Sequence, residues 1–356
     1  MAKQSKNMIK YIIKRILMMI PMLLLVLSLT FVLSRLMRSA PNTQVVFSIM
    51  TPEQIAREIE RSRTQDPWFV QLFAYFENFF TGDWGQSYVG NLAGKPVTQI
   101  IGEIFPKTIE LMIIPIVVVP FIAVKLGVTS AKNKNKMKDT GIRFIAILGA
   151  GFPVFWIATL LQLLFGYYLG NFTMGELDFS VFNANTPGMG LPGPPGVTLT
   201  GFRIIDAFLY NDQLHLWDSL THLFVPSVCM IFVSLAGITR QTRSSMLEVL
   251  DQDYIRTARA KGVLEKDVIN KHALRNALLP TSNLIIGGTA SALLGSLFVE
   301  LSFNYTGFGY WMVTSIFYGD YLVINGLLVF ATIIILASTI IADVAYTIID
   351  PRIIYR

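Results

Sequence analysis

Long apolar stretches are the feature that most constrains what this sequence can fold into. A transmembrane helix needs about 20 apolar residues to cross the hydrocarbon core of a bilayer. Six segments approach or exceed that length: Ile9–Leu33, Ile109–Leu126, Ile142–Leu169, Leu223–Ile238, Thr281–Leu301 and Leu322–Ile349. Charged residues make up only 15% of the chain, whereas soluble proteins carry about 25%. The sequence therefore predicts an all-α integral membrane protein with six transmembrane helices. Pro115 and Pro120 are expected to bend the second transmembrane helix.

Lysine and arginine residues alternate between the gaps that separate these stretches. The tail through Arg15, the gap 132–143 and the gap 240–275 hold five, five and eight of them, whereas 170–221 holds one and 302–321 holds none. Cytoplasmic loops of membrane proteins retain positive charge, so both termini are expected in the cytoplasm. The gap from Arg35 to Lys107 holds seven, but it is too long for this rule to apply.

The apolar stretches and the distribution of lysine and arginine divide the chain into five parts. They are a cytoplasmic tail 1–8, a first transmembrane helix 9–34, an external loop 35–108, a core 109–349 with helices two to six, and a cytoplasmic tail 350–356. A secretory signal is the rival interpretation of the first helix, but the apolar part from Ile16 to Leu33 exceeds the ~7–15 residues of a signal core. In the external loop, Thr51–Arg63 predicts a helix capped at Thr51, and Trp68–Phe80 predicts an aromatic helix near the membrane surface.

A basic segment, 248–280, lies between the fourth and fifth apolar stretches. Its first part predicts a helix through Arg259 that ends near Gly262. Its second part, Glu265–Leu278, predicts a helix that leads into the fifth stretch. Composition alone favours a basic loop held on anionic lipid. The alternative is a short element that projects into the cytoplasm.

Four blocks of the sequence resemble one known family. TARAKG (Thr257–Gly262) followed by HALRNALLP (His272–Pro280) is similar to the cytoplasmic signature of ABC-transporter permeases, specifically the B-type subunit of the oligopeptide, dipeptide and nickel importers. Three other blocks agree with that family in their order and spacing along the chain. They are GDWGQSY with KPV and PKTIEL (82–111), ELSFNYTGFG with GDY (300–321) and DPRI (350–353). Arg256-Thr257-Ala258 and Arg275 depart from the wider permease pattern, and both departures match the B-type subunit.

The resemblance implies a type I ABC importer permease fold with a cytoplasmic coupling helix between the fourth and fifth transmembrane helices. The residues expected to dock into a groove on an ATPase subunit are Arg256, Thr257, Ala258, Arg259, Ala260, Lys261 and Gly262. Small side chains among them permit close backbone approach, and the basic ones can form rim ion pairs. The expected partners are a second homologous permease, two cytoplasmic ATPase subunits, an extracytoplasmic substrate-binding protein and membrane lipid, but not nucleic acid. The expected location is the cell membrane of a prokaryote.

Catalytic chemistry is not expected on this chain. A phosphate-binding loop needs GxxxxGK followed by Ser or Thr, but Gly94-Lys95 is followed by Pro96. ATP and magnesium are therefore expected on the partner ATPase subunits, and no cofactor or metal on this chain. The histidines lack metal-ligand spacing; they are His215, His222 and His272.

Three acidic residues lie in or near the apolar stretches. Glu110 and Glu300 occupy predicted stretch ends, where hydration makes a charge inexpensive, and Asp343 lies close to the inner interface. Structural pairing or a helix-end role is the favoured interpretation for all three. The alternative is a functional role within the membrane.

Two features of the fifth stretch and the turn after it bear on a translocation path. Small residues recur at helical spacing, Gly288 with Ala292 and Ser291 with Gly295, which suits either helix packing within the chain or a helix that lines the path. The aromatic turn 304–310 suits either an external gate or an interfacial aromatic belt. The candidate path and gate residues are Ser291, Gly295, Glu300, Tyr305, Phe308 and Tyr310.

The sequence thus predicts the permease subunit of an ATP-driven importer, with oligopeptides or dipeptides as the expected cargo. A stand-alone secondary carrier or channel would explain six helices but not the cytoplasmic signature. A membrane enzyme would need polar catalytic residues that no motif here supplies. Nickel, glutathione, haem and oligosaccharides remain alternative cargoes, although no cluster of His, Cys or carboxylates selects a metal.

Overall fold

The computed structural model describes residues 2–38, 50–169, 173–174, 177–178 and 199–349. Side chains are described in these ranges except at 2–12, 37–38, 91, 169, 173–174, 177–178, 289–291, 293–295 and 345–349. The principal helices are α1 (Ala2–Arg38), α2 (Pro52–Ser62), α3 (Trp68–Thr81), α4 (Val97–Lys132), α5 (Met137–Gly151), α6 (Val154–Gln162), α7 (Arg203–Leu209), α8 (Gln213–Leu250), α9 (Asp253–Ala260), α10 (Leu274–Ser302), α11 (Phe308–Tyr318) and α12 (Tyr321–Ile349).

Shorter elements complete the described backbone. They are a 3-10 turn at Gly90–Leu92, π-helical turns at Leu163–Leu169 and Val268–Ala273, a helical turn at Glu265–Asp267, and the strands β1 (Thr173–Met174) and β2 (Leu177–Asp178). The two strands pair antiparallel, with Met174 opposite Leu177. The prediction of a helical protein is therefore confirmed, apart from this one short pair. The tail 350–356, with its DPRI block, lies outside the described residues.

The described chain forms two compact units. One comprises residues 2–108 and 306–341, and the other comprises 109–305 and 342–349. The helices predicted over Thr51–Arg63 and Trp68–Phe80 belong to the first unit and are confirmed as helices. Thr51 caps α2 reciprocally with Gln54, because each side chain accepts a hydrogen bond from the other residue's backbone N–H.

In the second unit α8 is the central helix, and it packs against α5, α6, α7 and α10. Two glycines bring its neighbours close. A Cβ atom on Gly127 of α4 would lie 2.5 Å from the Cβ of Thr242, and one on Gly149 of α5 would lie 2.9 Å from the carbonyl oxygen of Phe232. Both positions therefore require glycine for the backbones to approach.

Four of the described helices, or parts of them, are long and apolar enough to cross a membrane: 13–36 of α1, α4, α8 and 321–344 of α12. A fifth span arises if α5 and 154–168 count as one, although the chain bends by 104° between these two segments. The expectation of one continuous third helix over Ile142–Leu169 is therefore wrong. Pro153 lacks a backbone N–H and disfavours helical geometry at Phe152, which is extended at φ −98° and ψ 142°.

Candidate functional site

The cytoplasmic segment predicted from the sequence forms a short helix and a sharp turn. α8 ends at Leu250, and α9 follows after two residues. α9 ends at Ala260, and Gly262 adopts φ +77°, a left-handed conformation that glycine takes without steric cost. A helical turn then begins at Glu265 and leads into α10. The predicted break at Gly262 and the helical start at Glu265 are both confirmed.

One face of α9 is anchored and the other is exposed. Ile255 is fully buried in an apolar cluster that includes Met246 of α8 and Val268. Ala258 is half-buried against the same cluster, so its methyl group helps to anchor the helix. The other candidate docking residues are exposed: Arg256, Thr257, Arg259, Ala260, Lys261 and Gly262. The segment thus presents a small, basic surface on a fixed base.

An ion pair spans the turn at Gly262. The Arg259 guanidinium donates to both carboxylate oxygens of Glu265, at 3.1 and 2.9 Å. This hydrogen bonding lowers the pKa of Glu265 and raises the pKa of Arg259. Arg256 similarly contacts Asp253, at 3.1 Å. Two of the basic residues therefore have acidic partners within the chain, and a pairing with another protein would compete with them.

An apolar cavity of about 370 Å³ lies among α4, α6, α8 and α10. Gly288 and Ala292 of α10 line it, opposite Pro115 of α4 and Gly237 of α8. A Cβ atom on Gly288 would meet no atom within 4 Å, so Gly288 makes no close helix contact. At Gly288 the structure therefore supports the lining of a space and does not support close packing between helices. The backbone of Ser291 and Gly295 is helical, but the packing around these two residues lies outside what the structure describes.

The acidic residues at the predicted stretch ends are buried rather than hydrated. Glu300 is 0% exposed and accepts a hydrogen bond from the Ser296 hydroxyl at 3.0 Å. Glu110 is 5% exposed and accepts one from the Ile204 backbone N–H, at 2.8 Å, at the start of α7. The expectation of inexpensive hydration at these two positions is wrong, because tertiary packing covers them. The contacts agree with structural pairing.

The aromatic turn after α10 is largely buried. Tyr305 is packed in an apolar cluster with Leu111 and Phe303, and burial raises its pKa. Phe308 is 7% exposed and lies edge-on to Phe105 with ring centroids 6.3 Å apart. Tyr310 is half-buried. Burial of Tyr305 and Phe308 disfavours an interfacial aromatic belt for these two, and their role in a gate remains a prediction.

Two of the family-like motifs meet at the start of α12. Asp320, in GDY, caps α12 and accepts a 2.5 Å hydrogen bond from Ser87, in GDWGQSY. Tyr321 donates to Glu58 of α2 at 2.9 Å. The motif residues therefore join α2 and the segment that contains Ser87 to the start of α12, a role that spacing along the chain does not reveal.

A buried ion pair between α5 and α8 was not predicted from the sequence. Asp139 is 0% exposed, and both of its carboxylate oxygens accept from the Arg243 guanidinium at 2.8 Å. The Ser130 hydroxyl also donates to Asp139, at 2.5 Å. The only sequence signal is a lone aspartate among lysines. Among the described residues no group of three or more His, Cys, Asp or Glu could hold a metal ion.

Comparison with known proteins decides the family. The profile of the family described as binding-protein-dependent transport system inner membrane component matches residues 123–355. The chain belongs to this family. It is 36% identical to the oligopeptide transport system permease protein AppB of Bacillus subtilis over 352 residues, 98% of this chain and 100% of the relative. It is 35% identical to the dipeptide permease DppB of Alkalihalophilus pseudofirmus, over 98% of this chain and 100% of that relative.

A third relative of this inner membrane component is the di/tripeptide permease DppB of Pseudomonas aeruginosa, which is 32% identical over 97% of this chain and 99% of its own length. The resemblance read from the motifs is thereby confirmed at the level of the family. The protein is a multi-pass membrane component of a transport system, and its relatives are transport permeases rather than enzymes.

Proposed function

We propose that this chain is the permease subunit of an ATP-driven peptide importer in the cell membrane of a prokaryote. The observation that carries the proposal is similarity over almost the whole chain to permeases named for oligopeptides, dipeptides and di/tripeptides. The chain moves cargo and performs no covalent chemistry. ATP and magnesium act on separate ATPase subunits.

The proposed topology has six transmembrane helices with both termini in the cytoplasm. The long apolar helices supply four spans, the bent pair of α5 and 154–168 supplies another, and α10 contains the fifth apolar stretch, Thr281–Leu301. Retention of positive charge in cytoplasmic loops supports this orientation.

The exposed surface of residues 256–262 is proposed to dock on an ATPase subunit. Its burial pattern supports this role, since Ile255 fixes the base of α9 while the small and basic residues remain accessible. Force applied there would reach α8 and α10 through the shared apolar cluster. A second homologous permease would complete the path, and an extracytoplasmic binding protein would deliver the cargo.

The cavity beside Gly288 is proposed to be part of that path. Its lining is mostly apolar, so it would tolerate varied peptide side chains without specific hydrogen bonds. Alternation between inward-open and outward-open states would then follow ATP binding, as a shift between two populations.

The test is ATP-driven peptide uptake by the reconstituted complex with Gly262→Arg. We expect assembly to survive and uptake to fall to background, because the arginine places bulk on the docking surface and strains a left-handed residue. Gly82→Arg is the matched control, since Gly82 also ends a helix, has φ +83° and has open space around it. Unchanged uptake with Gly262→Arg would remove the docking assignment.

The same preparation distinguishes the secondary-carrier alternative. Uptake by this chain alone, driven by an ion gradient without ATPase subunits, would favour a carrier. Uptake that requires ATP and the co-purifying ATPase subunits would support the importer.

A further inference from the structure

The turn between α4 and α5 presents an unusual concentration of positive charge. Lys132, Lys134, Lys136 and Lys138 are all exposed. Among the described residues, none of these four ammonium groups has a carboxylate oxygen within the 4.0 Å of an ion pair. Four like charges within seven residues repel one another, so an anion bound between them would be favoured.

The one acidic residue in this turn faces inward. Asp139 is occupied by the bidentate contact with Arg243 and by the Ser130 hydroxyl. It also accepts the backbone N–H of Asn135 at 3.0 Å. Asn135 has φ +64°, a conformation that asparagine tolerates better than most residues. The buried carboxylate therefore shapes the turn from within and leaves the lysine charges on the outside.

An exposed apolar side chain sits among the lysines. Met137, the first residue of α5, is 86% exposed. Phe144 lies seven residues later, on the same helix face, and is 61% exposed, followed by Ile145 and Ile147. In a helix that enters the bilayer, such a stripe faces lipid. Met137 extends that stripe to the level of the lysines.

We propose that residues 132–138 bind the headgroup of an anionic phospholipid, with the phosphate among the four lysines and Met137 at the acyl boundary. Clusters of lysines beside a transmembrane helix attract anionic lipid, and an amphipathic edge selects a lipid over a free anion. An acidic protein surface would also attract the lysines, but it would leave no role for the lipid-facing stripe. The inference does not depend on the cargo or on ATP coupling.

The experiment measures lipid retained by the purified complex from nanodiscs of equimolar phosphatidylcholine and phosphatidylglycerol, by native mass spectrometry. Changing Lys132, Lys134, Lys136 and Lys138 together to Gln should lower the preference for phosphatidylglycerol by about tenfold. The matched control removes the same charge from other exposed positions outside the proposed docking surface: Arg240, Lys266, Lys271 and Arg275 to Gln. It should leave the preference within about twofold.

Asp139→Asn separates a shaped site from diffuse attraction. This change makes the chain more positive, so diffuse electrostatics predicts stronger retention of phosphatidylglycerol. The shaped turn predicts weaker retention, because the Asn135 N–H and Arg243 lose their carboxylate. If Asp139→Asn does not fold, Met137→Gln keeps every charge and should still lower retention severalfold.

Three outcomes would overturn the proposal. The first is a result that diffuse electrostatic attraction explains. Such a result is either an equal loss of phosphatidylglycerol in the lysine variant and its control, or a gain of phosphatidylglycerol with Asp139→Asn. The second is displacement of the lipid by inorganic phosphate, which would identify a free-anion site. The third is unchanged lipid retention with loss of a co-purifying soluble subunit, which would identify a protein-docking surface.

Discussion

At the scale of single residues, Asp320 combines two hydrogen bonds with burial. It caps α12, accepts from Ser87 and is 4% exposed. Burial raises its pKa, and the hydrogen bond from Ser87 opposes that rise. Because the pKa in the folded state lies above the unfolded value, the unfolded state loses this proton first as the pH rises.

The consequence is a pH dependence of stability with a defined sign. The free energy of unfolding should fall as the pH rises from the ordinary carboxyl pKa, about 4, toward the raised value, and then level off. Asp320→Asn retains a good capping residue and should remove this fall. Thermal unfolding of both proteins in detergent, measured from about pH 4 upward, checks this prediction. If stability changes with pH equally in the wild type and in Asp320→Asn, the prediction is wrong.

A second residue-scale prediction concerns the contact between α4 and α8. Gly127→Ala should lower the free energy of unfolding by about 1–3 kcal/mol, because the added methyl group overlaps Thr242. Gly102→Ala in the same helix is the control. A Cβ there meets nothing within 4 Å, so helix propensity should stabilise the protein by about 0.5–1 kcal/mol. Equal melting shifts for the two variants would contradict the close approach.

At the scale of elements, local sequence signals predicted where helices begin and end, but not the angles between consecutive helices. The Thr51 cap and the break at Gly262 follow from rules that act within one turn of chain, and both are confirmed. Hydropathy counts apolar residues without regard to direction, so the 104° change at Phe152-Pro153 was missed. The burial of Ile255 was missed as well, since its partners Met246 and Val268 are distant in sequence or beyond a turn.

The contact between α4 and the start of α11 gives an element-scale prediction. The Thr108 hydroxyl oxygen accepts the backbone N–H of Phe308 at 2.7 Å, and Thr108 is 1% exposed. Thr108→Val keeps the shape but leaves that N–H without this acceptor, which should cost about 1–3 kcal/mol of unfolding free energy. Thr129→Val is the control, because the exposed Thr129 hydroxyl bonds only to Lys125 of its own helix. Similar losses for both variants would contradict the proposed contribution.

At the scale of the whole molecule, the family follows from the sequence, while the cavity emerges only from the fold. The motifs predicted the family, and similarity across 98% of the chain confirms it. Gly288 and Ala292 were ambiguous because small residues suit both close packing and an open space. Only the positions of α4, α8 and α10 distinguish the two, by leaving Gly288 facing the cavity.

The proposed path can therefore be tested by filling it. Gly288→Leu should place a side chain in the apolar cavity without a clash at its Cβ atom, so the complex should assemble with little change in thermal stability. Peptide uptake should fall, and the loss should be greater for peptides with bulky side chains than for glycine-rich ones, because the remaining volume is smaller. Gly102→Leu, also on an open helix surface but away from the cavity, should leave uptake unchanged. If Gly288→Leu transports bulky and small peptides at the normal rates, the apolar cavity among α4, α6, α8 and α10 is not part of the path.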